Sequence, residues 1–170
     1  MSKRDVLRRT GWLSLALLFL LTGVVFTVII IWQQFHQSNT TTTNNQLKGT
    51  QLSNYTPVSH ISKLSVKNIK VGGGATAKNG STVVVNYVGA LAASGTIFDD
   101  SYDTGQPATF QLKPGNLIAG FYDGLLGMKE GGERQIFIPA SLAYGANPPP
   151  GSGIPTNADL VFDVILASSK

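Results

Sequence analysis

Side chains able to do chemistry are few in this 170-residue chain, and they are unevenly placed. There is no cysteine, which excludes disulfides, thiol nucleophiles and thiolate metal sites. Both histidines, His36 and His60, precede the stretch of alternating apolar residues that begins near Ser62. A serine–histidine relay therefore lacks its base where a fold would form, and the two histidines read as solvated linker residues. The densest acidic run, Asp99-Asp100-Ser101-Tyr102-Asp103, has spaced carboxylates but lacks the bend glycine and distal glutamate of a calcium loop. No metal site is expected. Paired-carboxylate hydrolysis needs two acids across a cleft, and Asp99 beside Phe98 suits a half-buried hydrogen-bond acceptor better. Gly72-Gly-Gly74 is not followed by the Gly-Lys-Ser/Thr ending of a phosphate loop and reads as a flexible strand connection. What the chain does hold in quantity is aromatic and branched residues on short strand-like segments.

Those segments surround one helix. Pro114 and Gly115 mark a turn, Asn116 is placed to cap, and Ile118, Phe121, Tyr122 and Leu125 fall at i, i+3, i+4 and i+7. Gly127 and the Gly131-Gly132 pair stop the helix. Before it, Leu64 to Val71 alternates well enough for a first strand, with Leu64 and Val66 in register. Ser81 to Gly89 places Val83, Val85 and Tyr87 on one face, Ile97 to Asp99 follows a turn at Ala92–Gly95, and Thr109 to Leu112 leads into the helix. After it, Gln135 to Ile138 is closed by Pro139, and Leu160, Phe162, Val164 and Leu166 share a face of the last strand. Between these two, residues 143–157 form a Pro- and Gly-rich loop placed to cover a site. The pattern predicts an α+β fold, a curved antiparallel β-sheet wrapped around one short α-helix.

The N-terminal third is different. Residues 11–32 carry no charge, and as a helix they would reach about 33 Å, close to the hydrocarbon core of a bilayer. Trp12 and Trp32 sit near the ends, where interfacial aromatics are favoured. The run is longer than a signal-peptide core and lacks a small-residue cleavage pattern, so an uncleaved transmembrane helix is expected. Lys3, Arg4, Arg8 and Arg9 precede it against one acid, Asp5, which places the N-terminus in the cytoplasm and the domain outside the cell membrane. Residues 33–61 are rich in Ser, Thr, Asn and Gln, too poor in apolar surface to offset ordering entropy, and read as a disordered linker. The expected organisation is a basic tail over 1–10, a membrane anchor in the lipid bilayer over 11–32, a linker over 33–61 and a folded domain over 62–170. From residue 61 onward eight Lys and Arg oppose eight Asp and Glu, so the net charge of +4 lies before the domain, +3 in the tail and +1 at Lys48 of the linker, and nucleic acid is not an expected partner.

The order and spacing of Val85-Asn-Tyr-Val-Gly89, Ile97-Phe-Asp99, Asn116-Leu-Ile-Ala-Gly-Phe121, Gly127-Met-Lys-Glu-Gly131, Ala143-Tyr-Gly145, Ile154-Pro155 and Leu160-Val-Phe-Asp-Val164 resemble FKBP-type peptidyl-prolyl cis-trans isomerases over about the last two-thirds of the chain. The resemblance implies a sheet wrapped on one helix, an apolar proline pocket between them, proline-containing polypeptides as substrates, a macrolide as a ligand and no cofactor. It implies catalytic roles for Tyr87, Phe98, Asp99, Tyr144 and Phe162. The rings of Tyr87, Phe98 and Phe162 would be aromatic walls, the Tyr144 hydroxyl a donor to a substrate carbonyl, and Asp99 a carboxylate at the edge. Phe121 would be the floor, Leu117 and Ile118 the rim, and Ile154 an apolar lid. Three departures stand out: Phe121 replaces a common tryptophan, Ala108 replaces a common pocket phenylalanine and leaves one wall open, and Pro148-Pro-Pro150 with Ile154-Pro-Thr156 alters the lid. Prolyl isomerisation also suits a chain without nucleophile and base, because it makes no lasting covalent bond. The expected function is isomerase action during folding of exported proteins. The alternative keeps the fold and uses the pocket as a non-catalytic peptide-binding or holdase module.

Overall fold

The computed structural model describes residues 47–170, within a compact unit that runs from Asn45 to Lys170. The expected basic tail, transmembrane anchor and most of the linker lie outside the described residues. Among the described residues no helix is long and apolar enough to cross a membrane.

Six strands form one antiparallel sheet: β1 (Ser65–Lys70), β2 (Thr82–Leu91), β3 (Ile97–Asp100), β4 (Ala108–Gln111), β5 (Glu133–Ile138) and β6 (Leu160–Ser169). The order is β1-β5-β6-β2-β3, and β4 pairs with the first half of β2 while β3 pairs with the second. The long β2 and β6 form the spine, paired from Val83↔Ser169 to Leu91↔Leu160. Alternation decides which face is core: Leu160, Phe162, Val164 and Leu166 are all buried, as are Val83 and Val85 across from them. Among the described residues one short α-helix, α1 (Ala119–Leu125), covers this face.

The helix approaches the sheet closely because its buried face carries two glycines. A Cβ built on Gly124 would lie 2.5 Å from Ile136 Cγ2, and one on Gly120 would collide with Ile138 Cγ2. Phe121 and Leu125 complete the buried face. Asn116 is not the cap expected of it; Ile118 holds that position without a side-chain hydrogen bond, and Asn116 Nδ2 donates to the Gln111 carbonyl at 3.4 Å. Gly127, at φ +74°, turns the chain out of the helix as expected. Arg134 on β5 closes the C-terminal end, donating from Nη1 to the carbonyls of Gly124 (2.7 Å) and Leu126 (3.1 Å) and from Nε to Asn68 Oδ1 (2.8 Å). One side chain thereby ties α1, β5 and β1 together.

Three expectations need correction. The first strand exists, but it lies at the sheet edge beyond the cover of α1, so all six of its residues are exposed, Val66 included. The Gly72–Gly74 segment is not a loose connection: a Cβ on Gly72 would collide with the Glu130 carbonyl, and Gly74 N donates to that same oxygen at 3.2 Å. Its glycines allow two backbones to touch. Finally, the second half of the linker is ordered. Gln51 bridges to Thr96, Gly49 N donates to the Ile97 carbonyl (2.7 Å) and Ile97 N to the Thr50 carbonyl (2.8 Å), so this stretch covers the free edge of β3. Leu47, Leu52 and Tyr55 pack on Ala90, Ile97 and Val161, the apolar residues on the face away from α1. Asp159 then holds the segment's end, accepting from Ile61 N at 2.6 Å and from the exposed His60 ring at 3.1 Å. A polar stretch with three well-spaced apolar residues finds partners that its composition alone does not reveal.

Candidate active site

Between α1, the middle of the sheet and the loop after the short 3₁₀ turn (Ala140–Leu142) lies an open cavity of about 270 Å³. Its walls come from every element packed around it: Tyr87 from β2, Phe98 and Asp99 from β3, Phe110 from β4 and Phe162 from β6. The stretch entering α1 adds Asn116, Leu117 and Ile118, the helix adds Phe121, and the long loop adds Tyr144.

The rings interlock. Phe121 and Phe162 sit closest, with centroids 4.8 Å apart, and Phe98 meets Phe162 edge-on at 5.7 Å and 86°. Phe110 meets Phe121 edge-on at 6.0 Å and 87°, and Tyr87 lies 6.0–6.2 Å from Phe110, Phe121 and Phe162. Gly89 makes room for this packing on β2: a Cβ there would stand 2.7 Å from Phe162 and 2.9 Å from Phe98. The cavity is thus lined by held rings rather than by loose side chains.

Four polar side chains line the cavity: Tyr87, Asp99, Asn116 and Tyr144. Tyr87 Oη donates to Asp99 Oδ2 at 2.6 Å. Burial first, then the hydrogen bond to Asp99 and the negative charge there, push the Tyr87 phenol well above its usual range. Burial and the Asp99 charge push Tyr144 up as well. Both phenols therefore stay protonated at ordinary pH and act as donors, never as bases. The pairing of Tyr87 with Asp99 is sewn in place by Ser101, whose Oγ accepts from Tyr87 N (3.0 Å) and whose own N donates back to the Tyr87 carbonyl (3.0 Å). The rest of the acidic cluster has other work. Asp100 Oδ1 accepts from the amides of Tyr102 (2.7 Å) and Asp103 (2.8 Å), and Asp103 Oδ1 accepts from Leu47 N (2.8 Å). These carboxylates shape a turn and anchor the N-terminal segment.

The structure brings Tyr87, Phe98, Asp99, Leu117, Ile118, Phe121, Tyr144 and Phe162 to one cavity, and leaves Ala108 and Ile154 out of its lining. Ile154 is buried in the same apolar cluster as Phe98, Phe121 and Phe162 but is not one of the residues that line the cavity. Ala108 sits opposite Val85 at the start of β4, and the open wall expected there is closed by Phe110, two residues on, opposite Val83. Because strand side chains repeat every two residues, Phe110 shares the face of Ala108 and of the fully buried Leu112. That alternation was the available signal for Phe110. Nothing local marks Asn116 as lining. Since Phe110 already fills the wall, Ala108→Phe is not expected to improve ligand affinity.

The family model for FKBP-type peptidyl-prolyl cis-trans isomerase matches residues 73–167, which contain every cavity residue. The chain is 50% identical over 91 residues to the peptidyl-prolyl cis-trans isomerase FPR2 of Saccharomyces cerevisiae, covering 54% of this chain and 67% of that protein. It is 48% identical over 107 residues to FK506-binding protein 4 of Rhizopus delemar, a stretch that is 63% of this chain and 27% of that longer relative. Among solved structures, AtFKBP13 is similar with a TM-score of 0.58 and 33% identity, over 65% of this chain and 96% of that one.

Proposed function

Because the chain belongs to the FKBP-type peptidyl-prolyl cis-trans isomerase family, we propose that its aromatic cavity binds an X-Pro segment of a polypeptide and speeds its cis–trans conversion. The observation that carries this reading is the convergence of Tyr87, Phe98, Phe110, Phe121 and Phe162 on one open cavity that holds no histidine, cysteine or basic side chain. The barrier to peptide rotation, about 18–20 kcal/mol, arises from amide resonance, and resonance makes the planar amide more dipolar than the twisted one. A peptide seated against these apolar walls displaces water from them, which withdraws solvation from the planar form more than from the twisted form, a differential binding in favour of the transition state. Phe121 and Phe162 accept the proline ring, Tyr144 donates to a substrate carbonyl, and the Ile118 amide is offered to the peptide main chain. Tyr87 holds Asp99 at the edge, so that the carboxylate faces the entering peptide without occupying the cavity. A macrolide with an apolar ring fits the same walls as a competing ligand. The holdase alternative drew on an open wall at Ala108 and on the altered lid at Pro148–Pro150 and Ile154–Thr156; Phe110, which lines the cavity where Ala108 does not, weakens the first of these grounds.

Asp99 is the clean probe because its side chain is exposed, so its loss leaves the core intact. Asp99→Val is expected to lower kcat/KM for a proline peptide by about tenfold, roughly 1.4 kcal/mol of transition-state stabilisation, with melting little changed. An unchanged rate in the folded variant, assayed by cis-to-trans conversion of an X-Pro peptide, rules out a part for this carboxylate. Lack of activity in the wild type rules out the isomerase reading itself.

The polypeptides acted on are exported ones, with the domain held outside the cytoplasmic membrane by residues 11–32. The motivation is the uncharged length of that run behind Arg8 and Arg9. Protease added to intact cells is expected to release the domain and leave a short membrane-embedded stub. A soluble mature form beginning near Gln33 would sink this placement.

A further inference from the structure

The last strand of the sheet, β1, is built unlike the others. It lies at the end of the strand order opposite β3, so it is remote from the cavity elements Phe98 and Asp99, and its outer edge pairs with no other strand among the described residues. Edge strands leave alternate N–H and C=O groups unpaired, a template for another strand. This one also exposes apolar side chains: Val66 is 45% exposed, Ile69 52% and Val71 74%, three of the five large apolar residues so exposed among those described. Lys63 precedes them and Lys67 and Lys70 stand between them, with no acidic residue from Ile61 to Val71. Glu133 pairs with Lys70 in register, yet no carboxylate lies within ion-pairing distance of any of the three lysines among the described residues.

Lysines on an edge are a common means of preventing pairing between copies, since two such strands set side by side bring like charges together. The same charges favour a strand of opposite sign. We propose that the outer edge of β1 is a strand-docking site for an extended, acidic polypeptide segment, which adds a further strand to the sheet. Its main chain takes up the unpaired edge groups, its apolar side chains cover Val66, Ile69 and Val71, and its carboxylates meet Lys63, Lys67 and Lys70. A second copy of this chain is the occupant that the charge pattern disfavours. The site does not depend on the isomerase reading, because no cavity residue lies on β1.

The test uses the full-length chain and a short fluorescent peptide of alternating glutamate and valine. Anisotropy should show saturable binding that weakens as salt rises. Replacing glutamate by lysine in the peptide should abolish binding, and Lys67→Glu with Lys70→Glu in the protein should weaken it by about tenfold or more. Both lysines are exposed, so this variant should melt as the wild type does and keep its rate on a small proline peptide. A peptide N-methylated at alternate residues keeps its charges but cannot pair as a strand, and should bind poorly. Equal binding of the N-methylated peptide overturns strand addition. No binding of the acidic peptide overturns the proposal and leaves the lysines as gatekeepers, and concentration-dependent self-association in place of peptide binding assigns the edge to a second copy.

Discussion

Phe162→Ala is expected to cost about 3–5 kcal/mol of stability, toward the lower figure because part of the ring faces an open cavity into which water can enter. Phe162 is 5% exposed and its ring packs against Phe98, Phe121 and Tyr87, so its loss leaves three aromatic neighbours without a common partner. Denaturant unfolding should show a lower midpoint with a nearly unchanged slope. The same substitution should remove most isomerase activity at a temperature where the variant is still folded. That separates it from Asp99→Val, which is expected to lose activity without stability. A folded Phe162→Ala protein with undiminished rate would mean that the cavity is not where proline binds. A midpoint within error of the wild type would mean that the ring cluster is not a unit of stability.

Gly124→Val is expected to destabilise by about 2–3 kcal/mol, against the ordinary expectation that removing a helix glycine helps. The Cβ alone would stand 2.5 Å from Ile136 Cγ2 and 2.9 Å from its Cδ1, so the helix must lift from β5 or Ile136 must leave its place. Lifting α1 moves Phe121, one turn earlier, and with it the contacts that Phe121 makes to Phe162, Phe110 and Tyr87. Stability and activity should therefore fall together. Ile136→Ala in the same chain removes the obstructing methyl groups, and the double variant should be about 1 kcal/mol more stable than the sum of the two losses predicts. Strict additivity in that cycle would show that Gly124 does not owe its place to Ile136.

The chain's own pattern carried the architecture. Alternation on β2 and β6 identified Val83, Val85, Leu160, Phe162, Val164 and Leu166 as the inner face, and the i, i+3, i+4, i+7 spacing located α1. Absence of cysteine, and of any histidine after His60, narrowed the chemistry before any geometry was known. Motif spacing named eight of the ten residues around the cavity. Periodicity works for these features because each depends on the residue's own strand or helix: a strand repeats every two residues and a helix every 3.6, whatever packs against them.

Features that depend on a second segment arriving from elsewhere were beyond its reach. Phe110 and Ala108 share a strand face, and which of the two lies along the cavity is decided by β4 pairing Val83↔Phe110 across β2; whether Asn116 caps the helix or bonds Gln111 is decided by how the turn before α1 folds back. The glycines of α1 are spacers only because Ile136 and Ile138 lie beneath them, and Gly72 is one only because the Glu130 carbonyl does. The ordered half of the linker shows the same limit. Leu47, Leu52 and Tyr55 are too sparse to predict structure, but they meet Ala90, Ile97 and Val161, which would otherwise be an uncovered apolar patch on the outer face of the sheet. Local residue types determined which elements form and which faces are apolar. Tertiary contact alone decided which apolar face is covered, which is left as a cavity and, at β1, which is left bare, because burial belongs to pairs of surfaces and neither partner encodes it by itself.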